Sequence, residues 1–262
     1  MRVRLILFTF LINYSYALFA QEEMNWIRLP LKRASIEPET IESMIRAEGL
    51  FRLNDTVHQP PDKNWFEYLP GTSKVLLLAP HATSQIREGS IKRADSGTGS
   101  LAIVLHGLNN CPILYTTYLS PSDPNYYDNN AFKDTLKALL NSLKPILVLD
   151  LHASNSYRPY DIDFGTMKGT SYLTHEDYYK RLIQSFSENG LTVLSQDRFP
   201  ADKNQTNTKF VKGNNIPCIQ LEINSTWFPV ESANYLERSF YGHRSAQLLQ
   251  AISNFINEID GK

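Results

Sequence analysis

The stretch from Val75 to Glu88, VLLLAPHATSQIRE, constrains the fold more than any other part of the chain. An unbroken apolar run, Val75–Ala79, gives way at once to Pro80 and then to His81. A half-wet strand would alternate apolar and polar residues. A continuous run instead marks a strand buried on both faces, as in a parallel sheet covered by helices. Proline cannot donate to a sheet ladder, so the strand is expected to stop there. His81 then falls at a carboxyl strand end, where open α/β sheets place their ligands. The same grammar returns in ILVLDLH (Ile146–His152) and CIQLEIN (Cys218–Asn224). All of these strands deliver a basic or metal-competent side chain, and their convergence predicts an active site.

Between these strands the apolar spacing turns helical. Ser35–Gly49 carries an Ile41, Met44, Ile45 stripe behind Pro38, which suits a first turn. Ser100–Leu108, a helix capped by Asn129 or Asn130 and running to Leu143, His175–Asn189, and Ser232–Ile259 with a break near Gly242 complete the set. Further strands are expected at Pro112–Leu119 and Leu191–Leu194, and Leu53–Gly71 reads as loop or a short strand. Two long polar connections, Ala153–Thr174 and Phe199–Lys212, are of the kind tied to function or mobility. Strands alternating with helices predict an α/β fold, a three-layer sandwich with a mainly parallel mixed sheet.

The amino terminus reads differently. Arg2 and Arg4 precede the apolar segment Leu5–Ala20, which ends before Gln21-Glu22-Glu23. A basic start, a short apolar centre and small residues at the exit predict a secretory signal peptide, residues 1–20. Ala17 offers an alternative cleavage point. An uncleaved anchor is the competing reading, but Asn13–Tyr16 interrupts a segment already shorter than the roughly 20 residues a span requires. Residues 21–262 suit a single α/β domain, and the expected location is secreted or periplasmic, with no stable membrane span after processing. With a formal net charge of −1 and no Lys/Arg run, nucleic acid is not an expected partner. The two cysteines, Cys111 and Cys218, are too few for a disulfide scaffold and could be buried thiols or one bridge. Asn54, Asn204 and Asn224 each open a glycosylation acceptor triplet, a pattern that also arises by chance.

Chemistry concentrates on few residues. Imidazole and carboxylate, the groups of His81 and Glu88, are ordinary kinds of zinc ligand, but seven positions separate the two residues, so a loop would have to gather the pair. His152 follows Asp150 by two, and strand alternation points both to one face, where Asp150 can orient an imidazole. Glu222 lies between Leu221 and Ile223 in an apolar strand. A carboxylate there is costly unless paired or used. It is either half of a buried salt bridge or a general base acting on water at a metal. His58, His106, His175 and His243 sit in loops or helices and read as surface or capping groups.

Taken in order, PHATSQIREG, the Asp95/Thr98-Gly99 segment, Asp123–Tyr126 (DPNY), DLHAS and QLEIN resemble the N-formylglutamate amidohydrolase-like branch of the zinc carboxypeptidase superfamily. The resemblance runs from about Val75 to Asn224. It implies a phosphorylase/hydrolase-like fold, one zinc at the carboxyl edge of the sheet, and hydrolysis of an amide or peptide bond beside a carboxylate. It further implies His81, His152 and Glu88 as zinc ligands, with Asp95 as the rival of Glu88, and Glu222 as the base. Two departures stand out: Ser84 occupies the position where carboxypeptidases proper carry Glu, and Ala153 follows the second histidine in place of Gly.

A substrate carboxylate needs a cation, and arginine provides a planar fork for it. Arg87, Arg93 and Arg158 lie in the loops beside the expected ligands, with Arg158 the first choice for a catalytic role. Asn125 and Tyr126 are expected to line the pocket or shape its turn. The leading reading is therefore an exported zinc-dependent amidohydrolase or carboxypeptidase-like enzyme acting on a small carboxylate-bearing amide or peptide. The alternative is an exported binding protein that keeps the scaffold without turnover. A serine esterase is disfavoured, because no G-x-S-x-G elbow is present.

Overall fold

A computed structural model describes residues 36–231 and 234–261. The expected signal peptide and its cleavage points lie outside the described residues. In chain order the elements are α1 (Pro38–Asn54), β1 (Phe66–Leu69), β2 (Val75–Ala79), β3 (Gln85–Arg87), β4 (Ser90–Lys92), α2 (Thr98–Asn109) and β5 (Ile113–Thr116). There follow α3 (Ala131–Leu143), β6 (Leu147–Ser154), β7 (Ile162–Gly165), α4 (Glu176–Glu188), β8 (Leu194–Gln196), α5 (Asn207–Gly213), β9 (Cys218–Asn224) and α6 (Tyr235–Asp260).

Seven strands form the central sheet in the order β1-β5-β2-β6-β9-β7-β8. The β5, β2, β6 and β9 strands run parallel, while β1 against β5 and β7 against β9 are antiparallel. The sheet is thus mixed and mostly parallel, and the expected three-layer α/β architecture is present. Alternation assigns the faces. Val75, Leu77, Leu147, Leu149, Leu151, Ile219, Leu221 and Ile223 join one core with residues of α1, α2, α4 and α6. Leu76, Leu78, Val148 and Cys218 face a second core with Phe132, Leu136 and Leu140 of α3 and Val211 of α5.

Cys111 and Cys218 are both buried, one in each core, on opposite sides of the sheet. The long connections carry more order than their composition predicts. β7 occupies the middle of the Ala153–Thr174 segment, and α5 takes up the end of the Phe199–Lys212 segment. Both short elements are specified by tertiary pairing: β7 is held against β9 and β8, and α5 is capped by Thr206, whose hydroxyl accepts from the Lys209 amide. The strand expected at Leu191–Leu194 begins at Leu194 instead. The last helix continues through Gly242 without a break, where a Cβ would meet Ile41 at an ordinary 3.9 Å. Asn224 is buried, with its amide donating to the Arg158 carbonyl at 3.0 Å, so that triplet is structural.

Candidate metal centre and active site

The second core ends where the strands approach their carboxyl edge. On β6, Val148 gives way to Asp150 and His152 on the same face; on β9, Cys218 gives way to Gln220 and Glu222. His81 stands beyond the end of β2, just past Pro80. From there the chain makes an excursion through the β3–β4 hairpin, turned by Glu88 and Gly89, both at positive φ as two-residue hairpin turns require. The excursion closes when the Asp95 amide donates to the His81 carbonyl at 2.8 Å. That closure delivers the Asp95 carboxylate to both histidines.

Asp95 Oδ2 lies 3.2 Å from His81 Nδ1 and 3.0 Å from His152 Nδ1. The two rings meet edge to face with centroids 4.8 Å apart. One donor atom from each of His81, Asp95 and His152 lies within 4.8 Å of the others. The opposite ring nitrogens are held from behind: His81 Nε2 by Asp123 at 2.9 Å, and His152 Nε2 by Asp150 at 3.3 Å. Both rings therefore turn Nδ1 toward a common point, with the outer partners that fix metal-binding imidazoles.

Charge in this cluster is lopsided. Asp95, Asp123, Asp150 and Glu222 surround the rings. Burial opposes ionisation of Asp95 and Asp123, yet hydrogen bonds from His152 and His81 to Asp95, and the charges of His81 and Arg87 at Asp123, hold both carboxyls well below their usual range. Burial likewise opposes charge on the imidazoles. Asp123 and Asp95 nevertheless raise His81, and Asp150 and Asp95 raise His152 further. A site that draws positive charge onto two buried imidazoles fits a divalent cation, and two nitrogens plus one carboxylate oxygen are a donor set for zinc.

Glu222 lies beside this cluster, paired in register with His152 on one side and Asp163 on the other. Burial pushes its carboxyl up to about 7, against the pull of His152. A carboxylate poised near neutrality suits proton transfer. A pocket of about 480 Å³ opens over the group, lined by His81, Asp95, His152 and Glu222 and by the cations Arg87, Lys92, Arg158, Arg198 and Lys203.

Several expected residues hold other posts. Glu88 is not brought to the histidines; it sits at the hairpin tip, where its carboxylate accepts from the Tyr126 hydroxyl at 2.6 Å. Asp95, the rival of Glu88, is the carboxylate that reaches both rings. Arg87 reaches the pocket wall, but its guanidinium pairs with Asp123 (Nε to Oδ2 2.6 Å) and stacks over Tyr126 at 4.6 Å. Arg93 is exposed and does not line the pocket. Asn125 does line it, placing Nδ2 3.3 Å from His152 Nε2 while its carbonyl oxygen accepts from the Asn207 amide at 2.7 Å. Tyr126 supports the hairpin and stands outside the lining.

Arg158 lines the pocket with its guanidinium between the rings of Tyr157 and Phe199, 5.2 and 5.0 Å from their centroids. Sequence reasoning missed Arg198 and Phe199. They are placed by Asp163, which accepts from both of their amides, at 3.2 and 2.9 Å, and from the Ser195 hydroxyl at 2.6 Å. The only sequence signal for them was the length and polarity of the loop itself.

No protein-family model matches the sequence, and no curated protein does. Among solved structures, the chain is similar to N-formylglutamate amidohydrolase from Ralstonia eutropha JMP134, at 13% identity and a TM-score of 0.52 over 74% of this chain and 98% of that one. It is also similar to a bacteriophage poly-gamma-glutamate hydrolase, at 15% identity and a TM-score of 0.44 over 75% and 89% of the two chains. A metallo-carboxypeptidase from Pseudomonas aeruginosa matches at 11% identity and a TM-score of 0.44 over 84% and 68%. The first of these likenesses shows that the chain has the fold of an N-formylglutamate amidohydrolase.

Proposed function

We propose that the protein is a zinc-dependent hydrolase of amide bonds that stand beside a carboxylate, with His81, His152 and Asp95, rather than Glu88, as the metal ligands. One observation carries the reading: two imidazoles and a carboxylate converge within 4.8 Å beside a carboxyl group poised near neutrality. A zinc ion held by His81, His152 and Asp95 would supply Lewis acidity toward water and the scissile carbonyl. Glu222 accepts the proton that water gives up and returns it to the departing nitrogen. Arg158, its planar guanidinium held against the Tyr157 and Phe199 rings, receives the substrate carboxylate in a bidentate fork. Arg198 and Lys203 extend the cationic wall. Asp123 and Asp150 hold the imidazoles by Nε2, which leaves both Nδ1 atoms toward Asp95, where a metal would be held.

The fold shared with N-formylglutamate amidohydrolase supports an N-acyl amino acid as substrate. Arg2, Arg4 and the apolar Leu5–Ala20 segment support export, which directs the choice toward peptide fragments outside the cytoplasm. The test is metal analysis of the purified protein combined with a panel of N-acyl amino acids and short blocked peptides. About one zinc per chain, with hydrolysis lost on chelation and restored by zinc, is the expected result. A protein that binds the panel compounds without zinc and without turnover is a binding protein instead.

A further inference from the structure

Gln220 is buried on β9, two residues before Glu222 and on the same face. Its Nε2 lies 3.0 Å from Glu222 Oε1 and 3.4 Å from the Phe199 carbonyl oxygen. The Phe199 carbonyl can only accept, and so does Glu222 once ionised, so the amide nitrogen, and not its oxygen, faces them. We propose that Gln220 is a positioning residue, whose amide ties the Glu222 carboxylate to the loop that carries the cationic wall of the pocket. This rests on the reading of Glu222 as the base.

The surroundings are built for that bridge. Gly165 of β7 stands opposite Gln220 in register. A Cβ at Gly165 would lie 2.6 Å from the Phe199 oxygen and 3.0 Å from Gln220 Nε2, so glycine is required here for space. The Phe199 peptide is gripped at both ends, its amide by Asp163 and its carbonyl by Gln220. The Phe199 ring in turn faces the Arg158 guanidinium. Gln220 thus refers the base and the carboxylate-binding arm to one framework. A neutral amide suits the task, because its two N–H groups serve two acceptors at once. A lysine or arginine there would hold Glu222 permanently as a charged pair and spoil it as a base.

The experiment uses the zinc-loaded full chain and the best compound from the panel. Gln220→Met keeps the length without the donors, and Gln220→Glu keeps the shape with a second acceptor. Both are expected to lower kcat roughly 10- to 100-fold, with KM within about threefold and zinc content unchanged. Gly165→Ala is expected to lower kcat in the same way. Filling by shape alone predicts that Gln220→Glu keeps wild-type kcat, and that result overturns the proposal. A second readout needs no turnover: nitrogen-15 NMR of the Gln220 side-chain amide. Slow solvent exchange in the wild type, lost in Glu222→Ala, supports the bridge; exchange as fast as that of surface glutamines overturns it. A zinc-loaded wild type that hydrolyses nothing sinks the hydrolase reading, while the NMR measurement still decides the bridge.

Discussion

Strands β6 and β9 present two different chemistries on their two faces. Leu147, Leu149 and Leu151 of β6, with Ile219, Leu221 and Ile223 of β9, stay apolar to the strand ends and fill one core. The alternate residues begin as Val148 and Cys218, then turn into Asp150 and His152, Gln220 and Glu222. Identical backbone thus supports a packing face and a polar face, the reacting face of the proposed hydrolase, offset by one residue. The apolar side holds its place through close-packed contacts that do not depend on pH. The polar side is costly to bury and is offset by the contacts its groups make with one another, such as Asp150 with His152 and Gln220 with Glu222. Substitutions on the two faces should therefore damage different properties.

The largest effect is expected on the reacting face. Glu222→Gln should retain zinc yet lose activity by roughly 10²- to 10⁴-fold, the range for a removed acid–base group. Turnover at the wild-type rate in that variant would remove Glu222 from the mechanism. On the packing face, Leu149→Ala should cost about 2–5 kcal/mol of stability in denaturant unfolding, as a fully buried leucine truncated in a tight core. Its folded molecules should still bind one zinc each; loss of metal from the folded fraction would mean that the faces are not separable.

A third outcome follows from the raised carboxyl of Glu222. In the unfolded chain it ionises near 4.5, whereas the folded protein keeps the proton up to about 7. Between those values the folded state binds more protons, so this group costs stability progressively as pH rises. Without metal, Glu222→Gln should be more stable than the wild type at pH 8, by up to about 3 kcal/mol, and should match it at pH 4 and below. Thermal melts in chelator at both pH values check the sign; a variant less stable at pH 8 contradicts it. The smallest effect belongs to the supporting residues behind the rings. Asp123→Asn should weaken zinc binding roughly 10- to 100-fold while leaving the fold intact. Competition with a zinc-binding dye measures it, and unchanged affinity would show that His81 needs no help from Asp123.

Much of the reacting face was legible beforehand. Period-two alternation put Asp150 and His152 on one side of a strand, and Asp150 does reach the His152 ring. Apolar runs ending in His81, His152 and Glu222 foretold one edge of a parallel sheet, and the rings of His81 and His152 do meet. The resemblance left Glu88 and Asp95 as rivals, and nothing local in the sequence could choose between them. Two-residue hairpin geometry instead throws Glu88 outward at the tip and carries Asp95 back to His81. Arg87 was readable as a cation beside the site, but its pairing with Asp123, 36 residues away, was not. Arg198 and Phe199 depend on Asp163, whose short strand IDFG is buried throughout and shows no alternation to read.

What the amino-acid sequence determined by itself was local: which runs become buried strands, which residues cap or end them, and which side chains share a face. Those features follow from backbone sterics and from the period of apolar residues, which act over a few positions. Only the tertiary structure decided which carboxylate meets the two imidazoles, where the arginines stand and what the Gln220 amide touches. Each depends on hydrogen bonds that close long loops, and such closures are set by where the rest of the chain has already packed.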